Sequence, residues 1–203
     1  MLTDQICRVL LQEDTLSARC MDKEELHRLK AHVEDVLAIS HFTYKQLLLC
    51  AGQPAEHIYF VQQGFARGFY YDESTGRQVT LFLWDERSVV VAANSFFLKK
   101  PADIYIEVMP GSVLLSLSQR QVKEIFELYP ATETLGHALT LQYKAFHKKR
   151  TLSFLTLSAW ERYLDLLQTH PRIEQKVSKD VIASYLGITP QSLSRLLKAN
   201  GHP

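Results

Sequence analysis

The chain has 203 residues, of which 46% are hydrophobic and 22% are charged, and its net charge is +1; this composition is ordinary for a globular protein with one large domain or two small ones. No apolar run approaches the roughly 18 residues that a membrane-spanning helix needs, and no cleavage-site pattern follows the N-terminus, so we expect a cytoplasmic protein without a membrane or secretion segment. The three cysteines (Cys7, Cys20 and Cys50) and the eight histidines show no metal-binding spacing, which predicts reduced thiols and neither a metal nor a cofactor.

The first two thirds of the chain predict helices followed by a β-rich region. Apolar residues at helical spacing indicate helices over 4–12 and 22–38. From about Phe42 the sequence is rich in aromatic and β-branched residues between turn signals, and a helix capped by Ser118 is expected over about 119–128. Many short strands favour an antiparallel barrel or roll, and hence an α+β fold. The predicted strands are 43–50, 57–62, 65–72, 77–84, 87–92, 103–109 and 112–118.

A long helix is predicted over 131–155, where the sequence contains no proline and a single glycine. Because its apolar stripe is longer than a small roll needs, we expect the helix to pair with a copy of itself in a homodimer; the alternative is a helix that packs only on its own domain. A shorter helix follows at 158–168. The predicted units are therefore 1–130, 131–155 and 156–203. The stripe consists of Ala138, Leu141, Ala145, Leu152 and Leu155, with a second flank of Leu135, Leu139 and Phe146.

Residues 179–198 have the pattern of a helix-turn-helix. Ser178 can cap the first helix, Gly187 can adopt the left-handed conformation that ends it, and Thr189 followed by Pro190 can begin the second. Gln and Arg can read base edges in a major groove, whereas Ser and Lys can hold phosphates. The alternative is a pair of core helices that only resemble the motif. The second helix leaves outward Gln191, Ser192, Ser194, Arg195 and Lys198.

The charge distribution agrees with a nucleic-acid partner at the C-terminal end. Residues 140–203 contain ten Lys or Arg and four Asp or Glu, whereas residues 1–139 contain thirteen and eighteen. A basic end that also contains a helix-turn-helix is what phosphate contact requires. A basic surface that is merely solvated is the other explanation.

The order of helix, β-roll, long helix and helix-turn-helix resembles the Crp/Fnr superfamily of bacterial transcription regulators over about residues 22–203. The resemblance rests on AGQPAEHIYFVQQGFARGFY, STGRQVTLF, LSAWERYLDLLQTHP and VSKDVIASYLGITPQSLSRL, and the last two stretches look most like the branch common in Bacteroidetes. It implies a cyclic-nucleotide-binding-type roll, a dimer formed by the long helix, and double-stranded DNA as a partner, with recognition helices about 34 Å apart. RNA polymerase is a further candidate partner.

The same resemblance assigns roles along the second helix of the motif. The family's base contacts fall on Pro190, Gln191 and Arg195, and only Arg195 keeps the family's usual residue type. Family members often continue into a β-hairpin wing, whereas this chain stops at residues 200–203, so we expect an incomplete wing and modest DNA affinity. The candidate phosphate contacts are Thr189, Ser192, Ser194 and Lys198.

The effector pocket departs from the family's nucleotide-binding pattern. Nucleotide-binding members have a Gly-Glu pair and, further on, an Arg followed by a small hydroxyl residue. Here Ala92 and Ala93 stand at the pair, and Ala102 and Asp103 stand at the Arg and the hydroxyl. Without the Arg, a buried phosphate lacks its bidentate partner, and Asp103 would repel it. We therefore expect no response to cyclic AMP in the family manner, and any small-molecule effector is unidentified.

Three classes of function compete at this point. The leading hypothesis is a dimeric, sequence-specific DNA-binding transcription regulator. The alternative is a ligand-binding or protein-interaction module whose helix-turn-helix no longer binds DNA, and exposure or burial of Arg195 discriminates between the two. We expect no enzymatic activity, because no GxSxG, P-loop or metal spacing occurs and acidic pairs such as Asp85-Glu86 are typical of solvated charge.

Overall fold

The structure is a computed structural model that describes residues 22–201. The predicted helix at 4–12 lies outside the described residues. Helix α1 (Lys23–Val36) begins at Asp22, whose carboxylate accepts a hydrogen bond from the backbone N–H of Glu25 at 2.7 Å. Among the described residues, no helix combines the length and the apolarity that crossing a bilayer requires.

Within that range, eight strands form two four-stranded antiparallel sheets, which confirms the predicted α+β fold with a β-roll. The strand order is β1-β8-β3-β6 in the first sheet and β2-β7-β4-β5 in the second. The strands are β1 (Ala38–Phe42), β2 (Gln46–Leu49), β3 (His57–Gln63), β4 (Ala66–Asp72), β5 (Arg77–Trp84), β6 (Val89–Val90), β7 (Tyr105–Val108) and β8 (Ser112–Ser118).

The start of the roll differs from the prediction. The predicted strand at 43–50 contains the shorter observed strand β2, whereas β1, which precedes it and belongs to the other sheet, is not predicted. Leu37 at the end of α1 already has extended backbone, with φ −75° and ψ 126°, so pairing with β8 begins at Ala38, opposite Ser116. The first helix is therefore shorter than predicted. The strand predicted at 87–92 is reduced to β6, because the chain enters an unpredicted helix directly afterwards.

That unpredicted helix, α2, is anchored by one large side chain. Phe96 is 2% exposed and packs in the interior of the roll, and its backbone N–H donates to the carbonyl of Ala92 at 2.9 Å. The buried face of so short a helix gives no periodic signal in the sequence. The helices after α1 are α2 (Ala93–Leu98), α3 (Gln119–Leu128), α4 (Glu133–Thr156), α5 (Ala159–Thr169), α6 (Ile173–Lys176), α7 (Lys179–Leu186) and α8 (Pro190–Ala199), with a 3₁₀ turn at Pro130–Thr132.

The C-terminal helices are docked on the roll through a shared apolar core. Three roll residues, Phe65, Leu83 and Met109, belong to the same buried cluster as the helices α5 to α8. Their partners include Tyr163 and Leu166 of α5, which are 0% and 1% exposed. The helix-turn-helix is therefore held against one side of the roll rather than extended away from it. The other buried members are Ile173, Val181, Ile182, Ala183, Leu186, Leu193 and Leu197.

Candidate nucleic-acid interface

Helices α7 and α8 form the helix-turn-helix that the sequence predicts, with each cap in its expected role. The Ser178 hydroxyl accepts from the backbone N–H of Val181 at the start of α7. Gly187 ends that helix in the left-handed conformation, with φ +70°. Thr189 caps α8 by accepting from the backbone N–H of Ser192 at 3.1 Å. A proline at the first position of α8 fits this cap, since that position has no backbone hydrogen bond to lose.

The inner faces of the two helices bury the residues that the pattern predicts. Ile182, Ala183 and Leu186 of α7 and Leu193 of α8 are each at most 1% exposed. The small side chain of Ala183 leaves room for the two helices to cross closely. Across the turn, the backbone N–H of Ile188 donates a hydrogen bond of 3.0 Å to the carbonyl of Ala183. This packing fixes which face of α8 is left for a partner.

The outer face of α8 presents the predicted polar set to solvent. Gln191, Arg195 and Lys198 are exposed, and their spacing of four and three residues places them on one face of the helix. Neither Arg195 nor Lys198 forms an ion pair with any residue in the range 22–201. Both charges are therefore available to a ligand. Thr189, Ser192 and Ser194 are also exposed, and Pro190 is partly buried.

The hydroxyl groups on this helix already take part in local hydrogen bonds. Ser194 donates to the carbonyl of Pro190 at 3.0 Å, and the hydroxyl oxygens of Thr189 and Ser192 lie 2.9 Å apart. Thr189 thus has a structural role as a cap in addition to its predicted role at a phosphate. A phosphate contact by these hydroxyls would have to compete with bonds that stabilise the first turn of α8.

A cleft of about 950 Å³ separates the start of α8 from the roll. From the motif it is lined by Pro190 and Gln191, and from the roll by Arg67, Arg77 and Glu107. Arg195 and Lys198 lie outside the cleft. The outer face of α8 is consequently divided: its C-terminal part is open to solvent, and its N-terminal part faces the roll.

Helix α7 closes this cleft by bonding to the edge strand β5. The Ser184 hydroxyl accepts from the backbone N–H of Thr80 and donates to the carbonyl of Gln78, both at 2.8 Å. One further polar link lies nearby. His170 Nδ1 lies 3.1 Å from an Asp85 carboxylate oxygen, so a polar network connects the motif and α5 to the second sheet of the roll.

The predicted effector residues are not all brought together. Ala93 lines a recess of about 460 Å³ between the roll and α4, with Trp84, Arg87 and Tyr143 among its walls. Ala92 is buried and lines a separate recess of about 280 Å³.

Ala102 and Asp103 line neither recess. Ala102 is buried, and its backbone exchanges two hydrogen bonds of 2.8 Å with Gly52 and Gln53, whereas Asp103 is exposed. The cavity that faces α4 is aromatic in character, with Phe82 stacked on Trp84, Tyr143 and Phe146.

Helix α4 leaves much of its predicted stripe uncovered. Leu141, Leu152 and Leu155 are 65%, 48% and 76% exposed. The flank residues Leu139 and Phe146 instead pack against the core of the roll. One side of the helix is therefore occupied by the chain's own roll and the other side is open.

The sequence did not reveal the arginine cluster at the junction of α4, α5 and α7. The Arg150 guanidinium donates to the carbonyl of Tyr185 at 2.5 Å and to that of Thr80 at 3.4 Å. It also lies over the Tyr185 ring, 3.6 Å from the centroid. Arg162 donates to the carbonyl of Leu186 at 3.1 Å. Arg150 lies off the apolar stripe of α4, and nothing in its local sequence indicates these distant partners.

Comparison with known proteins identifies the architecture. No family model and no curated protein matches the chain, but solved structures do. FixK2 from Bradyrhizobium japonicum has a TM-score of 0.71 at 17% identity, covering 82% of this chain and 86% of that chain. CLP, a c-di-GMP-responsive global regulator of Xanthomonas campestris, has a TM-score of 0.67 at 14% identity, covering 86% and 91%.

A protein from Eubacterium rectale assigned to the Crp/Fnr family of transcriptional regulators has a TM-score of 0.69 at 16% identity, covering 91% of this chain and 86% of that chain. At such identities the likeness shows the fold. The chain therefore has the same fold as these proteins.

Proposed function

We propose that this protein is a cytoplasmic, sequence-specific DNA-binding regulator of transcription of the Crp/Fnr type. The observation on which the proposal depends is the outer face of α8, where Gln191, Arg195 and Lys198 are exposed while the opposite face is buried. Its proposed units are a sensor roll within 1–130, a dimerisation helix at 131–155 and a DNA-binding unit at 156–203. The Bacteroidetes branch remains a prediction.

The residue types on α8 suit distinct contacts in a major groove. Arg195 has a free guanidinium that can bond the O6 and N7 atoms of a guanine, and Gln191 can bond an adenine. Lys198 suits a phosphate. Pro190 has no donor, so it can contribute only an apolar contact such as one with a thymine methyl group. Arg195 is thus the proposed main reader of sequence.

The proposed regulator is a homodimer that pairs through α4. Leu141, Leu152 and Leu155 recur at the spacing of a coiled-coil seam and are exposed in the single chain. A second copy of the same helix is the partner that this stripe fits, because the other flank of α4 already packs on the chain's own roll. A dimer would also present two α8 helices to two half-sites of one DNA.

Binding of DNA would require α8 to separate from the roll. Gln191 faces the roll across the cleft of about 950 Å³. A recognition helix enters a major groove about 12 Å wide, and the rest of the DNA duplex on both sides of that groove also needs space. A duplex and the roll cannot both occupy that space. The docked arrangement is therefore proposed as the form that does not bind DNA fully. Loss of the Ser184 bonds to β5 would favour the DNA-binding form.

A family-type response to cyclic AMP is not part of the proposal. The N-terminus of α2 presents the methyl groups of Ala92 and Ala93, and Asp103 is exposed near Tyr143, whose pKa is raised chiefly by burial and in part by that carboxylate. The arginine that lines the recess, Arg87, comes from the turn after β5 rather than from the expected position. RNA polymerase remains a candidate partner of the DNA-bound dimer.

The direct test is a mobility-shift or anisotropy titration on DNA from upstream of the protein's own operon, over a range of salt. Arg195→Ala should cost about 1–3 kcal/mol on the preferred site and should relax the preference at one base pair. Lys198→Ala should weaken binding on all sequences and lower the salt slope by about 1.

Arg120→Gln is the matched control, since Arg120 is an exposed arginine on α3 of the roll. Ser184→Ala should tighten binding if the docked form is inhibitory. Absence of a specific shift for the wild type and for Ser184→Ala would leave the protein-interaction module as the better explanation.

A further inference from the structure

Three basic side chains converge on a cavity of about 230 Å³ at the junction of α4, α5, α7 and the roll. Lys149 and Arg150 come from consecutive positions of α4, and Arg162 comes from α5. The two guanidinium carbons lie 4.9 Å and 5.1 Å from the centroid of the same ring, that of Phe154. Two like charges are thus held on one aromatic side chain beside an open space.

The negative charge in this region does not balance the positive charge. Asp165 lines the cavity and is paired with Lys149 at 3.0 Å. His170 also lines it, but its nearest acid is Asp85 of the roll. Among residues 22–201, no carboxylate forms an ion pair with Arg150 or Arg162. Burial is the main cause that lowers the pKa of Arg150; Tyr185 opposes this shift, and the charge of Arg162 adds a smaller contribution to it.

The neutral partners of the two arginines leave donors unused. Arg150 uses Nη2 for the carbonyls of Tyr185 and Thr80, and Arg162 uses Nε and Nη1 for the carbonyls of Leu186 and Leu157. Within the described part of the chain, Nη2 of Arg162 has no hydrogen-bond acceptor, and the remaining donors of Arg150 have only the Tyr185 side chain as a partner. Planar guanidinium donors of this kind bind carboxylate and phosphate oxygens in a bidentate manner.

We propose that this junction cavity binds a small multivalent oxyanion, of the class of a phosphate ester or a dicarboxylate, between Arg150, Arg162 and Lys149. Its volume of about 230 Å³ lies below the usual range for drug-sized ligands, so the ligand is small. The lining comes from α4, α5, α7 and Leu83 of β5. An anion there joins the motif, the long helix and the roll, and thus stabilises the docked arrangement.

A further consequence rests on the proposed function. If the docked arrangement limits DNA binding, the anion lowers the affinity for DNA. Binding of the anion itself does not depend on that function, so the two can be tested separately.

The experiment uses the full chain and two probes, inorganic phosphate and succinate, compared with chloride at equal ionic strength and near neutral pH. We expect a saturable rise in Tm with at least one probe, because a ligand that binds only the folded state stabilises it by RT ln(1 + [L]/Kd). Calorimetric titration gives Kd directly. A response to phosphate alone assigns the site to phosphate esters, and a response to succinate alone assigns it to dicarboxylates.

Variants locate the site. Arg162→Gln and Lys149→Gln should each weaken the anion about tenfold, which corresponds to about 1.4 kcal/mol, whereas Arg120→Gln on α3 should leave Kd unchanged. Arg150→Lys retains the positive charge but loses the planar set of guanidinium donors, so it should weaken anion binding less than Arg150→Gln does. Because Arg162→Gln and Lys149→Gln leave Arg150 in place, the test stands even where Arg150→Gln does not fold.

The proposal is overturned if neither probe raises Tm beyond chloride, or if Arg120→Gln loses the response as fully as Arg162→Gln does. A response that is intact in a chain that binds no DNA supports the anion site and counts against the proposed function. If an anion raises Tm but leaves the affinity for DNA unchanged, only the proposed effect of the anion on DNA binding is refuted.

Discussion

Replacement of Gly187 by alanine tests the turn of the helix-turn-helix most sharply. Gly187 has φ +70°, and a Cβ built on it would lie 2.6 Å from Cε1 of Phe154. The left-handed conformation costs alanine roughly 1–2 kcal/mol relative to glycine. The Phe154 ring must also move, and it then loses its place between the guanidinium groups of Arg150 and Arg162, each contact contributing about 0.5–1 kcal/mol.

The sum predicts that Gly187→Ala lowers the free energy of unfolding by about 2–4 kcal/mol. For a chain of this length the fall in Tm should be about 2–4 °C for each kcal/mol. Urea denaturation followed by circular dichroism measures the loss, at one fixed protein concentration because a dimer's stability depends on concentration. A loss below about 0.5 kcal/mol would mean that neither the backbone conformation nor the Phe154 ring makes glycine necessary at position 187.

A double-mutant cycle with Phe154→Ala separates the two causes. With the ring absent, Gly187→Ala should retain only its conformational cost of roughly 1–2 kcal/mol, so the two substitutions should be non-additive. Gly187→Asn is the matched variant, since asparagine tolerates the left-handed region but brings the same Cβ. It should cost less than alanine in the Phe154→Ala background. Equal costs of Gly187→Ala with and without the ring would refute the steric argument.

Three further predictions concern the dimer, the pH dependence and the roll. Leu152→Lys places a charge on the open face of α4 (Leu152 is 48% exposed in the single chain), and sedimentation should show monomers at concentrations where the wild type forms dimers. Burial raises the pKa of Asp85, but the hydrogen bond and the charge of His170 oppose burial, and this pKa falls below 3.8. The stability that Asp85 adds is therefore complete above about pH 3.8 and is lost as the pH falls through the pKa of Asp85 in the folded protein. The difference in unfolding free energy between the wild type and Asp85→Asn should therefore shrink below about pH 4. Glu107→Leu leaves the Arg67 side chain, which is 4% exposed, without its carboxylate and should cost about 3–5 kcal/mol in urea denaturation, whereas Glu107→Leu combined with Arg67→Met should be far milder.

The parts of the fold that could be predicted from the sequence are those whose signals are local. The strands at 77–84 and 112–118 were placed within the observed bounds because turn residues flank them and β-branched or aromatic residues fill them. The caps at Ser178 and Thr189 and the left-handed Gly187 were predicted from residue type alone, because few residues suit those backbone positions. The exposed face of α8 followed from the same helical spacing.

The parts that could not be predicted depend on long-range contacts. Helix α2 buries one large side chain, Phe96, and so short a helix shows no period. Arg150 reaches the carbonyls of Thr80 and Tyr185, which lie 70 and 35 residues away along the chain. No pattern within a window of twenty residues contains such a pairing.

The contact between Gly187 and Phe154 shows why the local motif and the long-range packing cannot be treated apart. The glycine is needed for the turn by its φ, but the space beside it is filled by a ring from the end of α4, the proposed dimer helix. That ring is in turn held by Arg150 and Arg162. The turn between α7 and α8 is therefore packed against the end of α4 at the same place where Arg150 and Arg162 lie. An anion bound at these arginines would act at a junction between α4, the proposed dimer helix, and the turn that precedes α8, the proposed recognition helix.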